Sequence, residues 1–180
     1  MVTEQRRFPI GKWIKPESIS EDQIKRWIDE IDYTPSVLAG LIRNLNSDQE
    51  QYCYRKDGWN IKQLVHHMGD SHMNAYIRQK LALSSDQPTI NPYDENAWAQ
   101  MADVVEVDLA TALTLLQALH KRWTVFLRSL KKEDFARGFY HPGHGRLILL
   151  DESLGMYAWH CKHHTEHIKI ALATEGKTES

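Results

Sequence analysis

Four stretches of this chain place apolar residues at three- and four-residue intervals, and that period restricts the fold more than any other feature. A stripe recurring every 3.6 residues gives an α-helix one apolar face, which must be buried against a partner. The first stripe is Ile24, Trp27, Ile28 and Ile31, opened by Ser20-Glu21-Asp22-Gln23, which has the spacing of a capping box. Pro35 is expected to kink or restart this helix, with Val37, Leu38, Leu41, Ile42 and Leu45 continuing the pattern to about Asn46. The second helix runs from an Asn60 cap through Ile61, Leu64, Val65, Met68, Tyr76 and Ile77 to about Leu83. The third is capped by Asp108 and buries Leu109, Leu113, Leu116, Leu119, Trp123, Phe126 and Leu127. The fourth spans about Glu152 to Thr174, with Leu154, Tyr157, Ala158, Cys161, Ile168, Ala171 and Leu172 inside. Together they predict an all-α four-helix bundle with one long crossover.

The remaining segments fit around that bundle as one domain over residues 1–180. Pro9, Gly11 and Pro16 make the first 19 residues read as an extended arm lying over the body. Residues 84–107 form the long connection, broken by Pro88 and Pro92, with only a short turn of helix around Glu95-Met101. A link of that length is usually functional or disordered. Its Ile90, Tyr93, Trp98 and Met101 predict that it packs onto the body, over the cleft. The turn His141-Pro142-Gly143-His144-Gly145, between Gly138-Phe139-Tyr140 and Leu147-Ile148-Leu149-Leu150, predicts a small β-hairpin.

Composition removes several classes of function. A hydrophobic content of 42% with 26% charged residues excludes a disordered chain. A formal charge of −2, with basic residues scattered rather than striped, argues against nucleic acid. No apolar run approaches a membrane span, and the polar opening Met1-Val2-Thr3-Glu4-Gln5-Arg6-Arg7 is unlike a signal peptide. Two cysteines, Cys53 and Cys161, are too few for a disulfide framework, so a reducing cytoplasm is the default. Cys161 falls on the apolar side of its helix and reads as a small buried hydrophobe.

Histidine is where the chemistry concentrates. Four of the eight residues from His160 to His167 are imidazoles, at 160, 163, 164 and 167. At about 100° per residue they share an arc of about 100° on the fourth helix. Imidazole is the commonest neutral ligand for zinc, nickel or iron, and an i, i+4 pair on one helix can hold one ion. His160 and His164 lie at the border of the apolar stripe, able to reach a cleft while the stripe packs. A second cluster, His66-His67 with His72, lies on the second helix. His72 falls mid-face and reads as a satisfied core histidine, while spacing leaves His66 and His67 undecided. Asp70 could orient a ligand's second nitrogen or be solvated. His141 and His144 sit in a turn, and His120 has no neighbours that suggest a role. Glu166 points away from His160 and His164, so the zinc-protease order is absent, as are Gly-x-Ser-x-Gly and any phosphate-cradling glycine loop.

The run from Gly58-Trp59-Asn60 through His66-His67-Met68-Gly69-Asp70-Ser71-His72-Met73-Asn74 resembles the second helix of YfiT-like proteins of the DinB/bacillithiol-transferase-like superfamily. Pro9-Ile10-Gly11, Lys15 to Ser20, Pro92-Tyr93-Asp94-Glu95 with Trp98, Gly138 to Pro142, and Tyr157-Ala158-Trp159-His160 to His167-Ile168 are similar to that group's segments in the same order. The resemblance implies a four-helix bundle with one divalent ion, zinc first or nickel, at its centre. It also implies the ligands: the second histidine of the first pair and an i, i+4 pair on the last helix, which here are His67, His160 and His164. The dimers known in the group, and the prevalence of C2 pairs, imply a homodimer.

A three-histidine site that leaves a coordination position open for water is the catalytic rather than the structural zinc pattern. The first expectation is therefore a metal-dependent hydrolase acting on a small molecule. The others are a thiol S-transferase, in which the ion would hold a thiolate, and a non-catalytic metal-binding protein. No carboxylate is placed beside the ligands by sequence. Arg55 and Arg78 are the candidates for an anionic mouth.

Overall fold

The computed structural model describes residues 2–178; the outermost ends of the arm and of the expected domain, Met1, Glu179 and Ser180, lie outside them. In chain order the elements are α1 (Val2–Arg7), α2 (Glu21–Ile42), α3 (Ser47–Glu50), α4 (Ile61–Ser84), α5 (Glu95–Trp98), α6 (Ala102–Glu106) and α7 (Leu109–Arg128). A 3-10 turn over Lys132–Ala136 leads to β1 (Gly138–His141), β2 (Arg146–Leu149) and α8 (Leu150–Ala173). The long helices start where their caps predict. Ser20, Asn60 and Asp108 each accept a hydrogen bond from the backbone N–H three residues on, and the Gln63 side chain accepts one from the Asn60 N–H.

Two expectations need correction. The N-terminal arm is not extended throughout, because α1 forms with Glu4 in its first turn and Arg6 and Arg7 in its last, the arrangement its dipole favours. A turn then closes with Gly11 N–H on the Phe8 carbonyl, Gly11 having a φ of 77°. Pro35 likewise does not restart the first bundle helix: α2 runs continuously through it to Ile42. What the proline does remove is the N–H that would have met the Ile31 carbonyl one turn back.

The four long helices form a ring in which α2 and α4 each pack on both α7 and α8. The consecutive pairs α2 and α4, and α7 and α8, therefore sit at opposite corners and their links cross the bundle, while α4 and α7 lie side by side. The hairpin covers one end: β1 and β2 pair antiparallel with Phe139 opposite Ile148, and β1 packs on α4. Gly138 is required there, since a Cβ would collide with the Ile148 carbonyl. The 84–107 connection is tied down by Tyr140 N–H on the Pro88 carbonyl and Ile90 N–H on the Tyr140 carbonyl, at 2.9 and 3.1 Å.

The core divides into two apolar clusters. One is aromatic, built around Trp27, Trp123, Phe139, Leu154 and Tyr157; the other is aliphatic, around Leu38, Leu64, Met68, Leu116 and Ile168. Between them each helix changes character. On α4 the step from Met68 to Ala75 passes through His72, and on α7 the step from Leu116 to Trp123 passes through His120. On α8 the step from Cys161 to Ile168 passes through His164. A polar layer of histidines thus crosses the bundle between two dry halves. Among the described residues no helix is long and apolar enough to cross a membrane.

Candidate metal centre

His67 on α4 and His160 and His164 on α8 converge at one edge of this layer, with one ring nitrogen from each within 4.8 Å of the others. His67 Nε2 and His160 Nε2 lie 3.2 Å apart. Helical spacing puts His160 above His164 on one face, and the packing of α4 on α8 brings His67 opposite. The three rings form the floor of a cavity of about 420 Å³, walled by Arg7, Phe8, Tyr54, Arg55, Asp57, Trp59, Glu95, Asn96 and Trp159, with His163 and His167. Trp59, just before the Asn60 cap, lies against His67 at 4.5 Å between centroids and stacks toward His164 at 6.3 Å.

Burial keeps these rings neutral. Desolvation lowers His67 to about 4, and it holds His160 and His164 well below the ordinary imidazole value, with neighbouring histidines adding to the effect. A neutral imidazole offers the lone pair that a metal requires.

The other histidines are now distinguishable. His66, left undecided by spacing, lies outside the trio, its Nε2 buried without a partner. His72 is fully buried with both nitrogens taken, Nε2 by His160 at 3.0 Å and Nδ1 by His120 at 2.8 Å. That agrees with a satisfied core histidine. His141 and His144 face each other in the hairpin turn, away from the trio. His163 and His167 are buried beside His164, and the three form a second histidine group. His167 Nε2 faces the Arg7 carbonyl and its Nδ1 faces His164 Nδ1, both at 3.3 Å. Cys161 is buried, its thiol pushed up to about 12 by desolvation, and it belongs to neither group.

Three contributors escaped the sequence. His120 is buried, with its Nδ1 on the Ile31 carbonyl at 2.7 Å. Its mid-stripe position between Leu116 and Trp123 was the available signal. Glu95 brings a carboxylate to the cleft from the 84–107 connection, its carboxyl raised by desolvation and by Asp94. Arg7 reaches the cleft from α1. The connection therefore meets the cleft through Glu95 and Asn96, whereas Tyr93 and Trp98 pack on one another at 4.3 Å. Arg55 also lines the cleft, as the sequence suggested, with its Nε buried and unpartnered. Arg78 does not: it is buried, holding the Asn91 carbonyl at 2.9 Å and so securing the connection to α4.

The sequence profile of the DinB superfamily matches residues 30–168. The chain belongs to the DinB superfamily. It is similar to YfiT of Bacillus subtilis (strain 168), at 44% identity over 93% of this chain and 94% of that protein. A relative from Oceanobacillus iheyensis is 43% identical over 90% of this chain and 93% of its own length. Both relatives are named as candidate metal-dependent hydrolases. The solved structure of Bacillus subtilis YfiT superposes with a TM-score of 0.92 at 42% identity, covering 97% of this chain and 99% of that one. It is described as a probable metal-dependent hydrolase with an unusual four-helix bundle topology. The two chains share one fold.

Proposed function

We propose that this protein is a metal-dependent hydrolase whose ion, zinc first and nickel second, is held by His67, His160 and His164. The observation that carries the reading is the pair of Nε2 atoms 3.2 Å apart, with a third imidazole nitrogen beside them, on the floor of a cavity. Two nitrogens each about 2.0–2.1 Å from a tetrahedral zinc stand about 3.4 Å apart, so the donors fit such an ion with little movement. All three ligands are neutral, none is a cysteine, and the fourth side faces the cavity, as in catalytic rather than structural sites. An ion of this class supplies Lewis acidity, which activates water and polarises a carbonyl or phosphoryl group. The descriptions of the relatives support the same class.

The chain's own groups divide the remaining work. Of the two carboxylates in the cleft, Asp57 and Glu95, the raised pKa of Glu95 moves it toward the range of a useful general base. Arg7 and Arg55 can hold a negatively charged part of the substrate. Trp59 shields one flank of the trio and limits water there. The decisive experiment is elemental analysis of gently purified protein, followed by turnover of an ester, amide and phosphoester panel with and without chelator. Metal-free protein, or hydrolysis that survives chelation, would overturn the reading.

The two guanidinium groups favour one alternative, a thiol S-transferase that binds an anionic low-molecular-weight thiol. Thiol-plus-electrophile turnover that depends on Arg55, with no hydrolysis of the panel, would select it. We further propose a homodimer, supported by the exposed Tyr33, Ile77 and Val125 on three bundle helices. Light scattering should give twice the 21.0 kDa of one chain. The two free cysteines fit the cytoplasmic setting expected from the sequence.

A further inference from the structure

Three imidazoles run in single file from the cleft into the core. His160 Nδ1 lies 3.0 Å from His72 Nε2, His72 Nδ1 lies 2.8 Å from His120 Nε2, and His120 Nδ1 lies 2.7 Å from the Ile31 carbonyl oxygen. The file ends on a group that can only accept. His120 therefore donates from Nδ1 and, being neutral, carries a bare lone pair at Nε2. That lone pair receives the His72 Nδ1–H, which leaves His72 Nε2 bare to receive the His160 Nδ1–H. The nitrogen left unprotonated at the outer end is His160 Nε2, the atom that faces His67. Each step has a single solution while every ring is neutral, the form in which an imidazole binds a metal. The Cys161 thiol, 3.9 Å from His72 Nε2, adds a weak donor to the same lone pair and leaves the order intact.

The anchor of the file comes from a proline. In an uninterrupted α2 the Ile31 carbonyl would accept the N–H of residue 35, and Pro35 has none. A buried carbonyl without a partner is costly. His120, on the neighbouring α7, supplies the missing donor. Pro35 thus leaves the Ile31 carbonyl short of its helical donor, and His120 takes that place.

We propose that Pro35, His120 and His72 are positioning residues that hold His160 in its Nδ1–H form and so present its Nε2 lone pair to a divalent ion. The inference rests on the metal reading above. None of the three lines the cleft, so each acts through His160. Partners that orient a ligand histidine in this way are typically worth about 10–100-fold in metal affinity.

The test is ring-nitrogen NMR of metal-free, 15N-labelled protein, joined to zinc titration against a chromophoric chelator. In the wild type, His160, His72 and His120 should each carry the proton on Nδ1. In His120→Leu, His160 should become a mixture of tautomers and zinc affinity should fall about 10-fold, with His120→Gln, which can both accept and donate, restoring most of it. His72→Leu should cost more than His120→Leu. A wild-type His160 protonated on Nε2 would overturn the proposal even if no variant folds. So would a folded His120→Leu protein with wild-type tautomer and affinity. A wild type that shows the Nδ1–H pattern but binds no zinc would instead sink the metal reading.

Discussion

His67, half-buried His160 and His164 on one side, and His72 and His120 on the other, lie within a turn or two of one another, yet their nitrogens are used differently. Every ring nitrogen of His72 and His120 is taken by a protein partner. In the cleft trio, His67 Nε2 and His160 Nε2 face each other at the foot of a cavity, with His164 beside them. Burial alone does not separate the two sets, since desolvation holds both neutral. What separates them is where the lone pairs point. A histidine whose two nitrogens are satisfied by protein is scaffold, and one with a lone pair facing a cavity beside two others is a ligand candidate.

The largest test of this comparison is acid, which attacks what the two sets share. His67 and His120 both have folded pKa values of about 4, below the ordinary 6.5 of an unfolded histidine. Between those values the unfolded chain binds more protons than the folded one, so stability falls as pH drops from 6.5 toward 4. Each such histidine should cost on the order of 1–2 kcal/mol at pH 5, and several together approach the whole stability of a domain. Metal-free protein is expected to unfold near pH 5 in denaturant titrations. A flat stability between pH 7 and 5 would show that the layer is wet and that the two sets are not alike in burial.

Removing a ligand separates the sets. His164→Ala should weaken zinc binding by more than about 100-fold, beyond the effect of a supporting partner, and should abolish the rise in Tm that saturating zinc gives the wild type. Equal zinc retention by the wild type and His164→Ala would dissolve the distinction between ligand and scaffold. A smaller effect, and one on turnover only, is expected of Glu95→Gln: about 10–100-fold in kcat with zinc affinity within about twofold. A parallel loss of zinc would make Glu95 a ligand instead. The smallest effect belongs to His66→Ala, next to His67 but outside the trio. Its zinc affinity should stay within about twofold, and a larger loss would mean that the pair had been assigned the wrong way round.

Much of the architecture was legible in local pattern. The apolar stripes gave four helices, and Ser20, Asn60 and Asp108 marked three of their starts. The turn at Pro142-Gly143 gave the hairpin, whose register pairs Gly138 with Leu149. The trio was read through family resemblance, because helical spacing alone could not choose His67 over His66. His120 and Glu95 were out of reach: one needs Ile31 on another helix to explain it, and the other needs the course of the 84–107 connection. α1 was missed because six polar-rich residues carry no stripe, and its helix is completed by packing on α8.

The sequence by itself determined where the four long helices lie and which faces of them are apolar, because those follow from period and caps within a few residues. It also determined that residue 35 withholds an N–H, a covalent fact independent of fold. Only the tertiary structure decided that α2 and α4 sit at opposite corners, so that α7 and α8 each bridge them. Only it decided which imidazole nitrogens meet each other and which meet a cavity. Those meetings join residues as far apart as His67 and His160, 93 positions along the chain. No local preference encodes such a distance; it is set by the packing of two apolar clusters around one polar layer.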